Sequence, residues 1–154
     1  MLKKIRVLIV DDSSYIRHIL KQLINESDDL EVVGEAVDPF DAREKIKAIN
    51  PDVITLDIEM PKMNGLEFLE KLMRLRPMPV VMLSTLTEKG ADVTLKALEL
   101  GAVDYITKPT KDFTDHLFAF KKEVVEKIKI AAAAKIKTMQ SGQQHRELNG
   151  GGGE

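Results

Sequence analysis

Polar residues able to take part in metal and phosphoryl chemistry stand in this chain at the ends of short apolar runs. Asp11-Asp12 follows Ile5 to Val10, Asp57 follows Val53 to Leu56, Ser84-Thr85 follows Pro79 to Leu83, and Lys108 follows a short run near Val103 to Ile106. Carboxylates brought within about 4 Å of each other repel by roughly 4 kcal/mol per pair at an effective dielectric near 20, so such a group must hold protons or a cation. Ligands that are all oxygen select a hard cation. Mg2+ fits because it takes one or two carboxylates, keeps several waters and shares its remaining positions with phosphate oxygens. A carboxylate in that setting can itself be the nucleophile and form an aspartyl phosphate. Lys108 would supply a positive point charge, and the Ser84 hydroxyl a hydrogen bond to the bound phosphoryl group.

The elements that must position these residues follow from a periodicity that changes type along the chain. The run Ile5 to Val10 reads as a strand, and Ile16, Ile19, Leu20, Leu23 and Ile24 then recur at the three-and-four spacing of a helix buried on one face. Glu31 to Ala36 is a second, more polar strand. Asp38-Pro39 offers an N-cap and a first-turn proline to a helix carrying Ala42, Ile46 and Ile49, which Pro51 stops. A third strand, Val53 to Leu56, is separated by the loop Glu59 to Gly65 from a helix bearing Leu66, Leu69, Leu72 and Met73. In that loop Pro61 cannot continue a ladder, and Asn64-Gly65 tolerates positive φ. Strand four, Pro79 to Leu83, leads to a helix from about Glu88 to Leu100 that stops at Gly101. A final helix after strand five carries Phe113, Leu117, Phe120, Val124 and Ile128.

Five strands alternating with five helices predict a doubly wound, flavodoxin-like α/β fold with a parallel sheet. In the order 2-1-3-4-5, the crevice lies outside the carboxyl ends of strands one and three, where the carboxylates would meet. One domain over residues 1–130 accounts for the length. From 131 to 154 an alanine run gives way to Gln, Ser, His and Gly, with almost nothing large and apolar to bury, and reads as a flexible linker or tail.

Composition removes several function classes. The net charge of −2 leaves no basic excess to favour nucleic acid or an anionic membrane, and the lack of cysteine excludes disulfides, thiolate zinc and cysteine nucleophiles. The apolar run near the N-terminus is too short for a signal-peptide core, and no stretch approaches the roughly 20 apolar residues of a membrane span. The expectation is a cytoplasmic chain. Each site residue also has a structural explanation: aspartates stabilise helix N-termini, Thr85 and Glu88 stand at capping-box spacing, and a single Lys-Pro pair carries little information. His18, His116 and His145 are isolated and read as surface residues, and the seven methionines as core filler. Coincidence at four strand ends is harder to account for than a site.

These residues, in this order, resemble the receiver domain of two-component response regulators, from near Lys4 to near Lys127. The resemblance rests on Asp11-Asp12, Asp57, the loop Met60 to Gly65, Ser84 and Lys108-Pro109. It implies that Asp57 accepts a phosphoryl group, that Asp11, Asp12, Asp57 and the backbone carbonyl of Glu59 bind Mg2+, and that Ser84 and Lys108 contact the phosphoryl oxygens. It also implies a cis Lys108-Pro109 peptide, and a switch in which Ser84 moves toward phosphate while Tyr105, matching the family's rotating aromatic, turns inward. Within the family, the segments Asp38 to Ile46, Leu69 to Met82 and Ala97 to Asp104 look like the regulatory domain of the chemotaxis protein-glutamate methylesterase. That resemblance implies a chemotaxis histidine kinase as phosphodonor, and a methylesterase domain, acting on chemoreceptors, that this chain lacks, since it has no Gly-x-Ser-x-Gly element. The chain itself is then a phosphoacceptor module and not an esterase. A stand-alone receiver acting by docking is the alternative. A haloacid-dehalogenase-like phosphatase would place its nucleophile after the first strand, and an FMN binder would need donors where Asp11-Asp12 presents carboxylates.

Overall fold

The computed structural model describes residues 3–59, 65–84, 88–108 and 116–150. Its elements alternate along the chain: β1 (Ile5–Val10), α1 (Ser14–Asn25), β2 (Leu30–Ala36), α2 (Pro39–Ile49), β3 (Val53–Asp57), α3 (Gly65–Leu75), β4 (Val80–Ser84), α4 (Glu88–Glu99), β5 (Asp104–Thr107) and α5 (Leu117–Gly150). All four strand pairings are parallel, in the order β2-β1-β3-β4-β5. The doubly wound sheet expected from the sequence is therefore present.

Both faces of the sheet are covered, which is why its central strands read as continuous apolar runs. Because side chains alternate along a strand, Leu8, Val10, Ile54, Leu56 and Met82 meet α2, α3 and α4 through Ala42, Ile46, Leu69 and Ala97. On the other face Val7, Ile9, Val53, Val81 and Leu83 meet α1 and α5 through Leu20, Ile24, Val124 and Ile128.

Local chemistry sets the helix ends. Ser13 caps α1, its Oγ accepting from the Ile16 amide at 3.3 Å, and Asp38 Oδ1 accepts from the Asp41 amide at 2.8 Å ahead of Pro39 at the start of α2. At the far end of α2 it is Asn50 that adopts the left-handed conformation (φ 54°), its amide donating to the Ile46 carbonyl, so the helix ends at Ile49, two residues before Pro51. Gly101 follows α4 at φ +119°, as its position after a helix requires.

Three findings differ from the sequence expectation. Asp57 and Ser84 are the last residues of their strands rather than the first residues beyond them, and β5 is displaced one residue, to Asp104–Thr107. Gly65 opens α3 without positive φ. It is needed because an added Cβ would stand 2.6 Å from the Asp57 carbonyl oxygen and 2.8 Å from Ile58 Cα. The change of composition near residue 130 does not end α5: Ala131 is still fully buried against the sheet, and the backbone stays helical to Gly150. Alanine, lysine and glutamine favour helix without needing a core. The loop 60–64, the Thr85 capping residue, the Lys108-Pro109 peptide and Phe113 lie outside the described residues.

Candidate functional site

Parallel strands all point their carboxyl ends to one edge, and the crevice opens where neighbouring connections leave for opposite faces. Here that point lies between β1 and β3, which pair directly with α1 leaving to one side and α3 to the other. Asp11, at the end of β1, is fully buried; Asp57, at the end of β3, is 1% exposed. One carboxylate oxygen each from Asp11, Asp12 and Asp57 falls within 4.8 Å of the other two, with Asp12 on the exposed side. Acids far apart in the sequence thus share one small volume.

Each buried carboxylate has one oxygen occupied and one open. Asp11 Oδ1 accepts from the Ser13 amide at 2.9 Å, and Asp57 Oδ1 accepts from the Glu59 amide at 3.2 Å and pairs with Lys108 Nζ at 2.7 Å. Among the described residues Asp11 Oδ2 and Asp57 Oδ2 have no hydrogen-bond partner, although Lys108 Nζ stands 3.7 Å from the former. Buried polar atoms are normally satisfied, so two orphaned oxygens on adjacent acids mark a place for a ligand that accepts lone pairs. An exclusively oxygen donor set, with Asp11 Oδ2 open and Asp12 exposed, fits a hard divalent cation of the Mg2+ type and leaves Asp57 Oδ2 open to a second ligand.

Electrostatics agree. Burial, and then the charge of Asp11, push the Asp57 carboxyl up to about 7, against the partly compensating contact with Lys108. Burial likewise raises Asp11, opposed by its Ser13 hydrogen bond and by Lys108. Burial alone would lower Lys108, but its hydrogen bond to Asp57 and the surrounding carboxylates outweigh that and hold the ammonium above its ordinary range. Without a cation, one lysine faces three acids.

Ser84 is buried at the end of β4, and its carbonyl accepts from the Lys108 amide at 2.7 Å, which ties the lysine's backbone to the neighbouring strand. Tyr105 sits apart from the acids, 39% exposed on β5, with Lys127 Nζ 4.9 Å from its ring centroid and 2.6 Å from its carbonyl oxygen. Lys127 is also paired with Glu123 at 2.9 Å and lies 3.7 Å from Asp104. Glu59 is exposed. His18 and His116 are exposed as well, in keeping with the surface expectation.

Two residues that hold the site escaped the sequence reading. Arg17, on the first turns of α1, donates through Nη1 to the Asp11 carbonyl at 2.7 Å while its Nε pairs with Glu35 at 3.3 Å. Ser13 fixes Asp11 Oδ1 through its amide and caps α1 through its hydroxyl. Serine before a helix was a legible signal for the cap. The target of Arg17 is a backbone carbonyl, which has no sequence identity.

Residues 7–117 match the family model described as the response regulator receiver domain. The protein-glutamate methylesterase/protein-glutamine glutaminase of Nitrosomonas europaea is 61% identical over 135 residues, covering 88% of this chain and 38% of that protein. The protein of the same name from Thiobacillus denitrificans is 60% identical over 134 residues, covering 87% and 38%. The chain thus spans under two-fifths of the length of these curated relatives. Among solved structures, the response regulator domain of Thermotoga maritima CheB superposes with a TM-score of 0.76 at 46% identity, over 85% of this chain and 98% of that one. The signal receiver domain of NarL from Mycobacterium tuberculosis gives 0.71 at 30% identity, over the same shares.

Proposed function

This chain belongs to the response regulator receiver family, and from that membership we propose that it is the phosphoacceptor module of a chemotaxis methylesterase, with Asp57 the residue that receives the phosphoryl group. The observation that carries the reading is the asymmetry of the Asp57 carboxylate: Oδ1 is held by Lys108 and the Glu59 amide, and Oδ2 is buried and has no partner among the described residues. A fixed carboxylate with one open oxygen is an oriented nucleophile.

In the proposed step, Asp57 Oδ2 forms a bond to phosphorus as the bond from phosphorus to the imidazole nitrogen of a phosphohistidine breaks, and the imidazole leaves with that electron pair. Asp11, Asp12, Asp57 and the Glu59 backbone carbonyl would hold Mg2+, which when bound neutralises the charge that opposes approach of an anionic phosphoryl group. Lys108 supplies a fixed cation to the phosphoryl oxygens, and the Ser84 hydroxyl donates a hydrogen bond to them. Arg17 and Ser13 keep Asp11 in place, through its carbonyl and its carboxylate respectively.

The phosphodonor in this reading is a chemotaxis histidine kinase. Residues 1–130 form the receiver, and 131–154 the connection to a methylesterase domain outside this chain, whose substrates are glutamyl methyl esters of chemoreceptors. Support for that part comes from the names of the relatives, and the chain's own chemistry ends at the acyl phosphate. Ser84 drawn to the phosphoryl group and Tyr105 turned inward would remodel the surface around α4, β5 and α5. A near-complete switch requires the phosphorylated site to favour the active arrangement by about 5.5 kcal/mol.

The test is intact mass after incubation with Mg2+ and acetyl phosphate. The expected result is a gain of one phosphoryl group that disappears in Asp57→Asn and in the presence of EDTA. An equal gain in Asp57→Asn would overturn the assignment.

A further inference from the structure

A groove of about 450 Å3 runs between α2 and α3, on the sheet face opposite α1 and α5. Its floor is apolar and recessed: Ile46, Phe68 and Leu72 are each less than a tenth exposed. Phe40 and Leu75 stand on its rim, 56% and 75% exposed. Of the eleven described residues that line it, five are cationic and none is acidic, in a chain whose net charge is −2.

Those cations are available. Arg76 closes one end of the groove, donating from Nη1 to the Ile46 carbonyl at 3.3 Å and from Nη2 to the Asn50 side chain. The other four, Arg43, Lys47, Lys71 and Arg74, have no hydrogen bond or ion pair among the described residues. Elsewhere the helices readily pair their charges, as Lys45 with Asp41 and Lys127 with Glu123. Four cations with no partner among the described residues, set around an apolar trough, favour an acidic occupant.

The geometry points to a docking site for an acidic amphipathic helix of a partner protein, seated between α2 and α3 with its apolar stripe on Phe68, Leu72 and Leu75 and its carboxylates on Arg43, Lys47, Lys71 and Arg74. The shape selects a helix over a bilayer. Two walls of 11 residues each extend about 16 Å, the length of three turns of helix, and a planar membrane surface cannot follow a recessed floor. Helix-in-groove recognition uses apolar anchors at three-and-four spacing, and flanking charge complementarity fixes the register. This surface is separate from the phosphoacceptor residues, so its use does not depend on the chemistry at Asp57.

Titration of the whole chain, followed by nitrogen–proton correlation spectra and calorimetry, tests the proposal with defined probes. These are a helical peptide of about 12 residues with Leu and Phe on one stripe and Glu beside it, the same composition scrambled, the peptide with Lys in place of Glu, and vesicles of phosphatidylcholine with phosphatidylserine. The acidic amphipathic peptide is expected to bind with shifts confined to α2 and α3, to weaken as salt is raised, and to lose affinity by about tenfold in Arg43→Glu/Lys71→Glu. Leu75→Ser is expected to weaken it independently of salt. Both variants alter exposed positions, so unchanged melting and unchanged phosphorylation of Asp57 show that the fold is retained. Equal binding of the scrambled or Lys peptide, shifts centred outside α2 and α3, binding of the vesicles alone, or no binding of any probe would each overturn the proposal.

Discussion

Replacing Asp57 by Asn should stabilise the cation-free fold, and the gain should grow with pH. The carboxyl ionises near 3.8 when exposed and is pushed up to about 7 in the fold, by burial first and then by Asp11. Between those values the folded chain retains a proton that the unfolded chain has released. Folding stability therefore falls as pH rises through this window, and the loss is complete above the folded value. A displacement of about three pH units at 1.36 kcal/mol each corresponds to about 4 kcal/mol, a sum that already includes the favourable contact with Lys108. The asparagine variant has no such proton, so the difference between variant and wild type should widen by about 4 kcal/mol from about pH 4 to about pH 8. Urea unfolding of both proteins in EDTA across that range measures it directly. Adding Mg2+ should reverse the ranking near pH 5, where under about 2 kcal/mol of that difference has developed, since a ligand at a hundred times its dissociation constant stabilises the wild type by about 2.7 kcal/mol. A difference that stays flat with pH, or wild type gaining on the variant as pH rises without metal, would refute the electrostatic reasoning.

Other perturbations have defined outcomes. Gly65→Ala places a Cβ against the Asp57 carbonyl and Ile58 Cα; it should cost about 1–3 kcal/mol by overpacking in thermal or urea unfolding, and slow phosphorylation by displacing the end of β3. Arg17→Ala removes the donor to the Asp11 carbonyl and the Glu35 pair; Mg2+ affinity, followed by calorimetry, should fall by about tenfold or more while the fold persists. Lys127→Met removes the cation from the Tyr105 ring and the donor from its carbonyl; ring-proton shifts of Tyr105 should show a broader range of rotamers, at a cost of about 1 kcal/mol or less in stability.

Much of the fold was legible because its determinants are local. The β-branched runs ending at Val10, Asp57 and Ser84, and the apolar spacing of Ile16 to Ile24 and Ala42 to Ile49, identify strands and amphipathic helices without tertiary knowledge. Parallel order then carries the polar ends to one edge, so the meeting of Asp11, Asp12 and Asp57 could be anticipated. What could not be anticipated depends on contacts across the chain. Lys108 pairing more closely with Asp57 than with Asp11 is decided by how the end of β5 sits beside β4. Arg17 aims at a carbonyl. Gly65 is fixed by what a Cβ would strike rather than by its φ, and the outward position of Tyr105 is supported by Lys127, 22 residues away. The α5 backbone continues past residue 130 because helix propensity persists after the core ends.

The identity of the phosphoacceptor is open to direct chemical readout. After loading with Mg2+ and acetyl phosphate, borohydride reduction cleaves an acyl phosphate and turns its carboxyl carbon into an alcohol, and peptide sequencing by mass locates the product. The expected product is homoserine at position 57, with aspartate unchanged at 11 and 12. Reduction at either of those positions, or phosphate surviving on another side chain with position 57 intact, would contradict the assignment of Asp57.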